Sequence, residues 1–328
     1  MIYLGIDVAK AKLDCSLLLD TASNLRKTTS VPNTKLGVAT LLDWVASHGS
    51  QAADLHVVME ATGAYHQQAA LTLFDAGVRV SIVNPAQARD FARGLAVRTK
   101  TDGVDSFVLA RFGALLKPKA WQPPALEVRE LQALLTRRDA LAHDLRRERN
   151  RQEKTLLSDI STLVRQSLIS VIGCLEEQLK LIEKAITAHV ADHAALKRDM
   201  DLLTSIPAIG PRTGVNLLAL MHTIRFHTAE QMAAYLGVVP IERQSGSSIA
   251  GQPRMSKAGP SNVRGVLYMA AVVGISRNPH IKALYERLLA RGKAKMSALG
   301  AAMRKLIHLC FGVVKSGQPY RADHHAIC

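Results

Sequence analysis

Two aspartates three residues apart, Asp102 and Asp105, stand in the part of the sequence best suited to chemistry. The apolar run that follows, Ser106 to Leu116, lacks proline and predicts a helix. Residues at i and i+3 share a helix face, so both carboxylates would point to one spot and repel unless a proton or cation lies between them. The preceding cations, Arg98 and Lys100, indicate a nearby polyanion. The structural alternative makes Asp102 a helix cap and places Asp105 in the first turn, where acids are favoured.

Two further acids, Asp7 and Glu60, stand at the ends of short apolar runs that predict buried strands. A carboxylate among apolar residues is costly unless something pairs with it. For Asp7 the two candidates are a metal ion and a salt bridge to Lys10 or Lys12.

The first part of the chain alternates between predicted strands and helices. We predict strands at 2–8, 12–19, 55–59 and 78–83, and helices at 33–47, 66–76 and 86–94. This order indicates an α/β fold with a partly parallel sheet, in which ligands bind at the carboxyl ends of strands. The four acids could therefore converge, and carboxylate oxygens suit magnesium or manganese. Such metals can activate the attacking oxygen and stabilise the leaving oxygen of a phosphodiester.

The composition favours a polyanionic partner. The 328 residues include 42 Lys and Arg against 27 Asp and Glu, a formal net charge of +15. This excess indicates nucleic acid. Aromatic residues make up only 4%, so phosphate contacts are expected to outweigh base stacking. The four cysteines are not spaced as zinc ligands, and we expect neither a signal peptide nor a membrane span.

The middle of the chain is predicted to be helical. A proline-rich linker at 117–124 precedes a leucine-rich stretch, 126–199, that predicts two long helices in an antiparallel or intermolecular coiled coil. Its basic run includes Arg146 and Arg147, which belong either to a solvated helix face or to a helix that follows a phosphate backbone.

Two segments of the C-terminal part could contact phosphates. Residues 202–217 resemble a helix-hairpin-helix, whose backbone N–H groups, beside Arg212, can hold a phosphate without base recognition. The alternative is an ordinary turn between helices. Residues 243–259 are rich in Ser and Gly and predict a flexible surface loop. That loop carries three cations: Arg243, Arg254 and Lys257.

Five short motifs occur in a particular order along the chain. They are GIDVAK (5–10), MEATGAY (59–65), KTDGVD (100–105), SIPAIG (205–210), and QSG with MSKAG (244–246 and 255–259). In this order they resemble the insertion-sequence-110 family of bacterial transposases, over nearly the whole chain. One departure is Gly103, where that family usually has a basic residue; the change removes a cation beside the acids and none of the acids.

The resemblance implies a site made of two parts. The first is a RuvC-like, or ribonuclease-H-like, α/β domain in which four carboxylates hold Mg²⁺, or alternatively Mn²⁺. These carboxylates are Asp7, Glu60, Asp102 and Asp105. The second part is a transposase domain with a catalytic serine, which corresponds to Ser245; because the alignment of this loop can slip, Ser247 and Ser248 are alternates.

We therefore expect a RuvC-like metal-binding domain at 1–117, a helical coiled-coil segment at 118–199, and a mostly α transposase domain at 200–328. The expected activity is excision and integration of the chain's own insertion sequence through a phosphoserine intermediate. The alternatives are a RuvC-like junction nuclease that uses water and a non-catalytic nucleic-acid-binding protein. The resemblance also implies a guide RNA from the element. We further expect DNA as a partner, a homodimer or homotetramer, and a location in the bacterial cytoplasm at the nucleoid.

Overall fold

The chain forms two compact units, residues 1–123 and 124–328. The computed structural model describes residues 1–61, 63, 65–95, 101–155, 161–245 and 249–323, and of residues 242–245 and 249–253 it describes the backbone alone. The predicted segments 118–199 and 200–328 lie almost entirely in the second unit, where they share one hydrophobic core. The structure thus groups the predicted second and third segments in one compact unit, and their separate roles stay a prediction.

The first unit is built on a five-stranded sheet of order β3-β2-β1-β4-β5. Its strands are β1 (Ile2–Val8), β2 (Lys12–Asp20), β3 (Leu25–Pro32), β4 (Leu55–Glu60) and β5 (Arg79–Val83). The pairs β1–β2 and β2–β3 are antiparallel, and the pairs β1–β4 and β4–β5 are parallel. This mixed sheet confirms the predicted α/β class for the N-terminal part.

The sequence analysis missed strand β3. Most of its side chains are exposed because it lies at the edge of the sheet, so it lacks the apolar alternation that marks a strand in the sequence. Arg26 on this strand stacks on the Phe107 ring at 4.0 Å. A cation that appears solvated in the sequence thus packs against a helix.

Four helices complete the first unit. They are α1 (Lys35–Ser47), α2 (Tyr65–Asp75), α3 (Pro85–Gly94) and α4 (Asp102–Leu116). Thr34 caps α1, and Asn84 caps α3 by accepting a hydrogen bond from the Ala86 amide. These helices confirm the predicted ones to within a few residues at each end.

Helix α4 lies almost in backbone contact with β1. A Cβ atom on Gly5 would stand 1.8 Å from the Ser106 carbonyl oxygen and 2.4 Å from the Ala110 nitrogen. A Cβ on Gly113 would stand 2.8 Å from Val58 Cγ2. Glycine at these two points lets the helix descend onto the sheet, which fixes where the helix begins.

The second unit is mostly helical. Its helices are α5 (Leu126–Thr155), α6 (Thr162–Asp192), α7 (Ala194–Thr204), α8 (Pro211–Thr223), α9 (Ala229–Tyr235), α10 (Ser261–Arg277), α11 (Pro279–Ala290) and α12 (Lys295–Ser316). Their apolar faces meet in one core that includes Leu203, Leu217, Leu267 and Leu306. This confirms the predicted α-rich class of the C-terminal part.

Helices α5 and α6 lie side by side in antiparallel directions. His189, near the end of α6, places its Nε2 2.8 Å from the carbonyl oxygen of Glu127, near the start of α5. Arg149, near the end of α5, pairs with Glu176 at 2.6 Å. The buried and half-buried residues of α6 alternate at spacings of three and four: Ile172, Leu175, Leu179, Ile182 and Ile186. The predicted coiled coil itself stays a prediction.

The segment predicted as a flexible loop contains a β-hairpin. Strands β6 (Pro240–Ser245) and β7 (Ile249–Met255) pair antiparallel, with Ser245 opposite Ile249. The loop prediction is wrong for the two arms, because the Ser and Gly residues that suggest mobility concentrate at the connection. That connection, 246–248, lies outside the described residues.

Among the described residues, one helix, α12, is long and apolar enough to cross a membrane by length and composition. Its side chains at Leu306, Ile307 and Cys310 lie in the core of the second unit. This is the position of a core helix in a folded domain.

We predict that Gly5→Ala strongly destabilises the first unit. The added methyl group would overlap backbone atoms of α4, which cannot move aside as a side chain can, so we expect a loss of at least about 3 kcal/mol. Circular dichroism melts measure it. Gly103→Ala is the matched control: a Cβ there meets nothing within 4 Å, and alanine favours the helix by about 1 kcal/mol. Equal melting temperatures for the two variants would disprove the close-contact argument.

Candidate active site

The sheet directs several polar side chains toward the face that α4 covers. Gly5 faces α4, so Asp7, two residues further along β1, lies on the same face. Gly5 pairs with Val58 on the parallel strand β4, and Glu60, two residues beyond Val58, shares that face. Asp7 and Glu60 thus end neighbouring parallel strands on one side of the sheet, as the sequence analysis predicted.

A fifth acid, Asp14, joins this set. It stands opposite Asp7 in the antiparallel register of β1 and β2, so the two side chains share a face. The sequence analysis did not single out Asp14, because a single sequence does not show the pairing register of its strands; in the structure Asp14 lies two residues from Ser16, which faces α4. Ser16 Oγ lies 2.8 Å from Ser106 Oγ, a buried hydrogen bond between sheet and helix.

Helix α4 brings the last two acids to the same edge. Thr101 is the N-terminal cap residue, and Asp102 and Asp105 lie in the first turn. The structural alternative predicted Asp102 as the cap residue. That prediction is wrong, because the cap is the preceding residue, Thr101. Asp105 is half-buried, whereas the side chain of Asp102 is 58% exposed. Both positions place negative charge at the positive end of the helix dipole.

Lys12 links the sheet to the helix. Its Nζ lies 2.9 Å from Asp14 Oδ2 and 2.8 Å from Asp102 Oδ2. A salt bridge from Asp7 to Lys10 or Lys12, one of the two alternatives for Asp7, is not found among the described residues, and Lys12 pairs instead with Asp14 and Asp102. The hydrogen bond from Lys12 lowers the pKa of Asp102.

The electrostatics at Asp7 show that the acids act on one another. Burial, the largest cause, and the nearby charges of Asp105, Asp102, Asp14 and Glu60 together raise the pKa of Asp7 to about 6. A carboxyl with these neighbours is under electrostatic stress in the folded chain. A cation that enters this cluster would relieve that stress.

The donor set is chemically suited to a hard divalent cation. All five side chains supply carboxylate oxygens, the ligands that Mg²⁺ and Mn²⁺ prefer. Within the described ranges, however, no three His, Cys, Asp or Glu side chains already stand in metal-ligand geometry. The acids lie near one another but not at the mutual distances of metal ligands. The Lys12 ammonium offsets part of their negative charge.

The remaining sequence-predicted residues fall in different places. Ser245 ends β6 and Arg243 lies within it, and the backbone alone is described for both. Arg254 and Lys257 are exposed, and Lys257 has a left-handed φ of 55°. Arg98, Lys100, Ser247 and Ser248 lie outside the described residues. Arg146 and Arg212 line one groove of the second unit, and Arg147 does not.

The turn between α7 and α8 is tightly held. Ile206 and Ile209 are buried beneath it. The left-handed residue is Ala208, with φ 88°, and Gly210 serves as the cap of α8. Asn278, almost fully buried, donates from Nδ2 to the Pro207 carbonyl at 3.2 Å.

The C-terminal segment also contacts this turn. The backbone N–H of Tyr320 donates to Ser205 Oγ at 2.9 Å, and the Tyr320 hydroxyl donates to Asn278 Oδ1 at 3.2 Å. The segment thus joins the turn and the start of α11 in one hydrogen-bond network.

Two protein-family models match parts of the chain. Residues 4–160 match a family model described as a transposase of the DEDD type of IS110. Residues 200–286 match the model for transposases of the IS116/IS110/IS902 family.

Two relatives align along almost the whole chain. The pilin gene-inverting proteins of Moraxella bovis and Moraxella lacunata are 32% and 33% identical, over 98% of this chain and 98% of each relative. A transposase of the insertion sequence IS1111A of Coxiella burnetii is 23% identical over 58% of this chain and 58% of its own. The chain belongs to the IS110 family of transposases, and its activity is that of a DNA transposase or recombinase.

Solved structures of Thermus thermophilus RuvC, one in complex with a Holliday junction substrate, are similar to part of the chain. The TM-score is 0.27 for both, with 16% and 17% identity over 35% and 37% of this chain and 93% and 99% of theirs. Likeness at this level carries no inference about chemistry.

We predict that Asp7→Asn stabilises the metal-free protein at pH 8. The pKa of Asp7 lies at about 6, against an ordinary value of 3.8, so ionisation opposes folding and its cost appears as the pH rises between these values. The amide removes that cost. Because the carboxyl is half-exposed and screened, we expect a gain of about 1 kcal/mol at pH 8 and none at pH 4.

Denaturant unfolding in a chelator at both pH values measures this gain. Asp20→Asn is the control, since hydrogen bonds from Ser23 and Ala22 lower the pKa of Asp20 and its amide should bring no gain at pH 8. If Asp7→Asn is neutral or destabilising at pH 8, the acids do not repel one another in the fold.

Proposed function

We propose that this chain is a recombinase that cuts DNA at the ends of its own insertion sequence and rejoins the strands through a covalent link to Ser245. The observation that supports it best is the convergence of Asp7, Glu60, Asp102 and Asp105 on one face of the sheet, at the carboxyl ends of parallel strands. Burial and the charges of the neighbouring acids raise the pKa of Asp7 to about 6, and a bound cation would relieve that unfavourable interaction.

The acids are proposed to hold Mg²⁺, or alternatively Mn²⁺, in a RuvC-like domain. A divalent cation bound there would activate the attacking oxygen and stabilise charge on the phosphorane. Asp7 and Glu60 fix two donors on rigid strands, and α4 supplies the other two from a helix end. Asp102 has to leave Lys12 to serve as a ligand, and Asp14 keeps Lys12 nearby when it does.

The proposed covalent step conserves the energy of the phosphodiester. The Ser245 oxygen attacks phosphorus, the bond from phosphorus to one deoxyribose oxygen breaks, and the serine proton is passed to that departing hydroxyl. The reverse attack by a deoxyribose hydroxyl restores the phosphodiester and releases the serine. A serine hydroxyl needs activation for such an attack at neutral pH, and no nucleotide cofactor is consumed.

The relatives favour strand rejoining over hydrolysis. The Moraxella proteins are named for inverting a gene, and an inversion leaves every cut strand resealed. An activity of that kind in relatives that align over 98% of this chain and 98% of their own supports a recombinase over a nuclease that uses water. A non-catalytic binding protein would need neither the acids nor the serine.

We further propose that the partners are element-end DNA, target DNA and a structured guide RNA, and that the protein works in the cytoplasm at the nucleoid. The net charge of +15 supports polyanionic partners. The turn at 205–210 is proposed to act as a helix-hairpin-helix, since its buried isoleucines and backbone geometry leave the start of α8 open to a phosphate.

We propose that copies of the chain associate through α6 as a coiled coil, giving a homodimer or homotetramer. One face of α6 packs on α5, yet the same helix exposes several large apolar side chains: Leu163, Val164, Ile169, Val171 and Leu181, each 43–74% exposed. Burial of such side chains is worth about 1.5–3 kcal/mol each, and a second copy offers the same surface.

We predict that Leu163→Lys with Leu181→Lys lowers the mass of the assembly. Two buried ammonium groups would oppose association, and sedimentation velocity measures the mass. Leu126→Lys on α5 is the control, because Leu126 is 68% exposed and lies outside α6. An unchanged mass for the α6 double variant would disprove this interface.

The test of the proposed chemistry is the capture of a protein–DNA adduct. Wild-type protein, Mg²⁺, the element's transcript and a labelled element-end duplex should give a band that survives detergent and disappears with protease. We predict that Ser245→Ala gives no adduct and that Asp102→Asn reduces it at least about a hundredfold, with DNA binding retained in both.

The alternates and rivals give distinct outcomes. If Ser245→Ala still forms the adduct, the nucleophile lies elsewhere, and Ser247→Ala and Ser248→Ala identify it. Metal-dependent cutting without any adduct would favour the junction nuclease that uses water. Absence of both cutting and adduct, with DNA binding intact, would favour the non-catalytic binding protein.

A further inference from the structure

The second unit contains an arginine-lined groove with a volume of about 1190 Å³. Helices α5, α8 and α10 form its walls. It is lined by four arginines against a single carboxylate: Arg138, Arg146, Arg149, Arg212 and Asp139. A groove with this balance attracts anions.

A hydrogen-bond network holds the walls of the groove together. Arg138, only 5% exposed, donates from Nη2 to Asp139 Oδ1 at 2.7 Å and to Asn216 Oδ1 at 3.3 Å. Asn262 of α10 donates to Asp139 Oδ2 at 3.1 Å. Because these bonds tie α5 to α8 and α10 and neutralise Asp139, the groove is fixed in shape and keeps its positive charge.

Two of the lining guanidinium groups are available to a ligand. Arg146 on α5 and Arg212 on α8 are exposed and form no ion pair with any residue that the structure describes. Arg149, by contrast, is held by Glu176 at 2.6 Å. Arg146 and Arg212 therefore supply most of the positive charge that an incoming ligand would meet.

Two helices also begin at this groove without side-chain caps. Gly210 precedes α8 and Pro260 precedes α10, and neither accepts a capping hydrogen bond through its side chain. First-turn residues of both helices, Thr213 and Ser261 among them, line the groove. In the same unit Thr228 and Asn278 do cap their helices. Uncapped N-termini present free N–H groups and positive dipole ends to an anion.

We propose that this groove binds the phosphodiester backbone of a nucleic acid without recognising its bases. Phosphate oxygens match both the arginine forks and the helix N-termini. Among the described residues that line the groove there is no Phe, Tyr or Trp on which a base could stack. The ring of His143, also in the lining, has its Nδ1 3.6 Å from Asp144 Oδ1. The inference rests on the proposed function for its nucleic-acid partner and adds the location and mode of binding.

The sequence could not distinguish Arg146 from Arg147. Both belong to one basic run on α5, but Arg146 lines the groove, and Arg147 lies outside it with its Nη1 3.9 Å from Asp144. This difference allows a control variant that removes the same charge from positions of α5 outside the groove lining.

We test the groove with the full-length protein and fluorescence anisotropy at a series of salt concentrations. The probes are duplex DNA, duplex RNA and single-stranded RNA of equal length. For Arg146→Gln with Arg212→Gln, the slope of log affinity against log salt should become shallower by about 1.4–1.8, the loss of two phosphate contacts. The control, Arg137→Gln with Arg147→Gln, should leave the slope within about 0.5 of wild type.

A second variant keeps the test independent of the arginines. A Cβ on Gly265, which lines the groove, meets nothing within 4 Å, and glutamate favours a helix more than glycine does. Gly265→Glu should therefore fold and repel the backbone, weakening binding at least about tenfold. A shift for one probe class alone identifies the bound nucleic acid as DNA or RNA.

Several results would overturn the inference. One is equal salt slopes for the groove pair and the control pair on every probe. Another is a Gly265→Glu variant that binds the probes as tightly as wild type. A third is that polyglutamate competes for wild-type protein, and that the groove variants lose this competition yet still bind the nucleic-acid probes. If wild type binds the probes and forms the covalent adduct while the variants match the control, only the groove assignment fails. If wild type binds no probe, the proposed function fails with it.

Discussion

The contact between the backbone of α4 and the middle of β1 is the constraint on which the candidate site depends. The missing side chain at Gly5 lets the helix lie directly on the strand, and the buried pair of Ser16 and Ser106 sets its position along the strand. Once the helix is fixed there, its first turn has to project beside the ends of β1 and β4. The placement of Asp102 and Asp105 thus follows from packing several residues away from them.

The site is held at an electrostatic cost that the rest of the first unit offsets. Five carboxylates share one edge of the sheet, and their charges add to the effect of burial in raising the pKa of Asp7. The apolar core on the strands, including Leu4, Ile6, Val57 and Met59, is fully buried and supplies the compensating free energy. Lys12 provides the local offset by joining Asp14 to Asp102. Strain of this kind is typical of functional sites.

Much of this arrangement could be predicted from the sequence, and the exceptions have physical reasons. Asp7 and Glu60 stand at the ends of apolar runs that predict buried strands, so their positions at strand ends could be predicted. The edge strand β3 and the acid Asp14 were missed because an exposed strand has no apolar signal and pairing register is not visible in one sequence. Glycine and serine at 243–259 suggested a loop, although pairing of the arms depends on contacts between β6 and β7. The groove could not be predicted, because it depends on three helices that are distant in the chain.

The hydrogen bonds of Tyr320 give the end of the described chain a role that its polar composition conceals. Its backbone and hydroxyl group join Ser205 to Asn278, and Asn278 in turn holds the carbonyl of Pro207. The family model for this part of the chain ends at residue 286. A protein shortened to that boundary would lose the hydrogen bonds of Tyr320. Its α7–α8 turn, with Ala208 in a left-handed conformation, would keep the Asn278 bond and the buried Ile206 and Ile209 but lose both bonds from Tyr320. A boundary set at the end of the family match would therefore remove side-chain and backbone contacts that hold the matched turn in place.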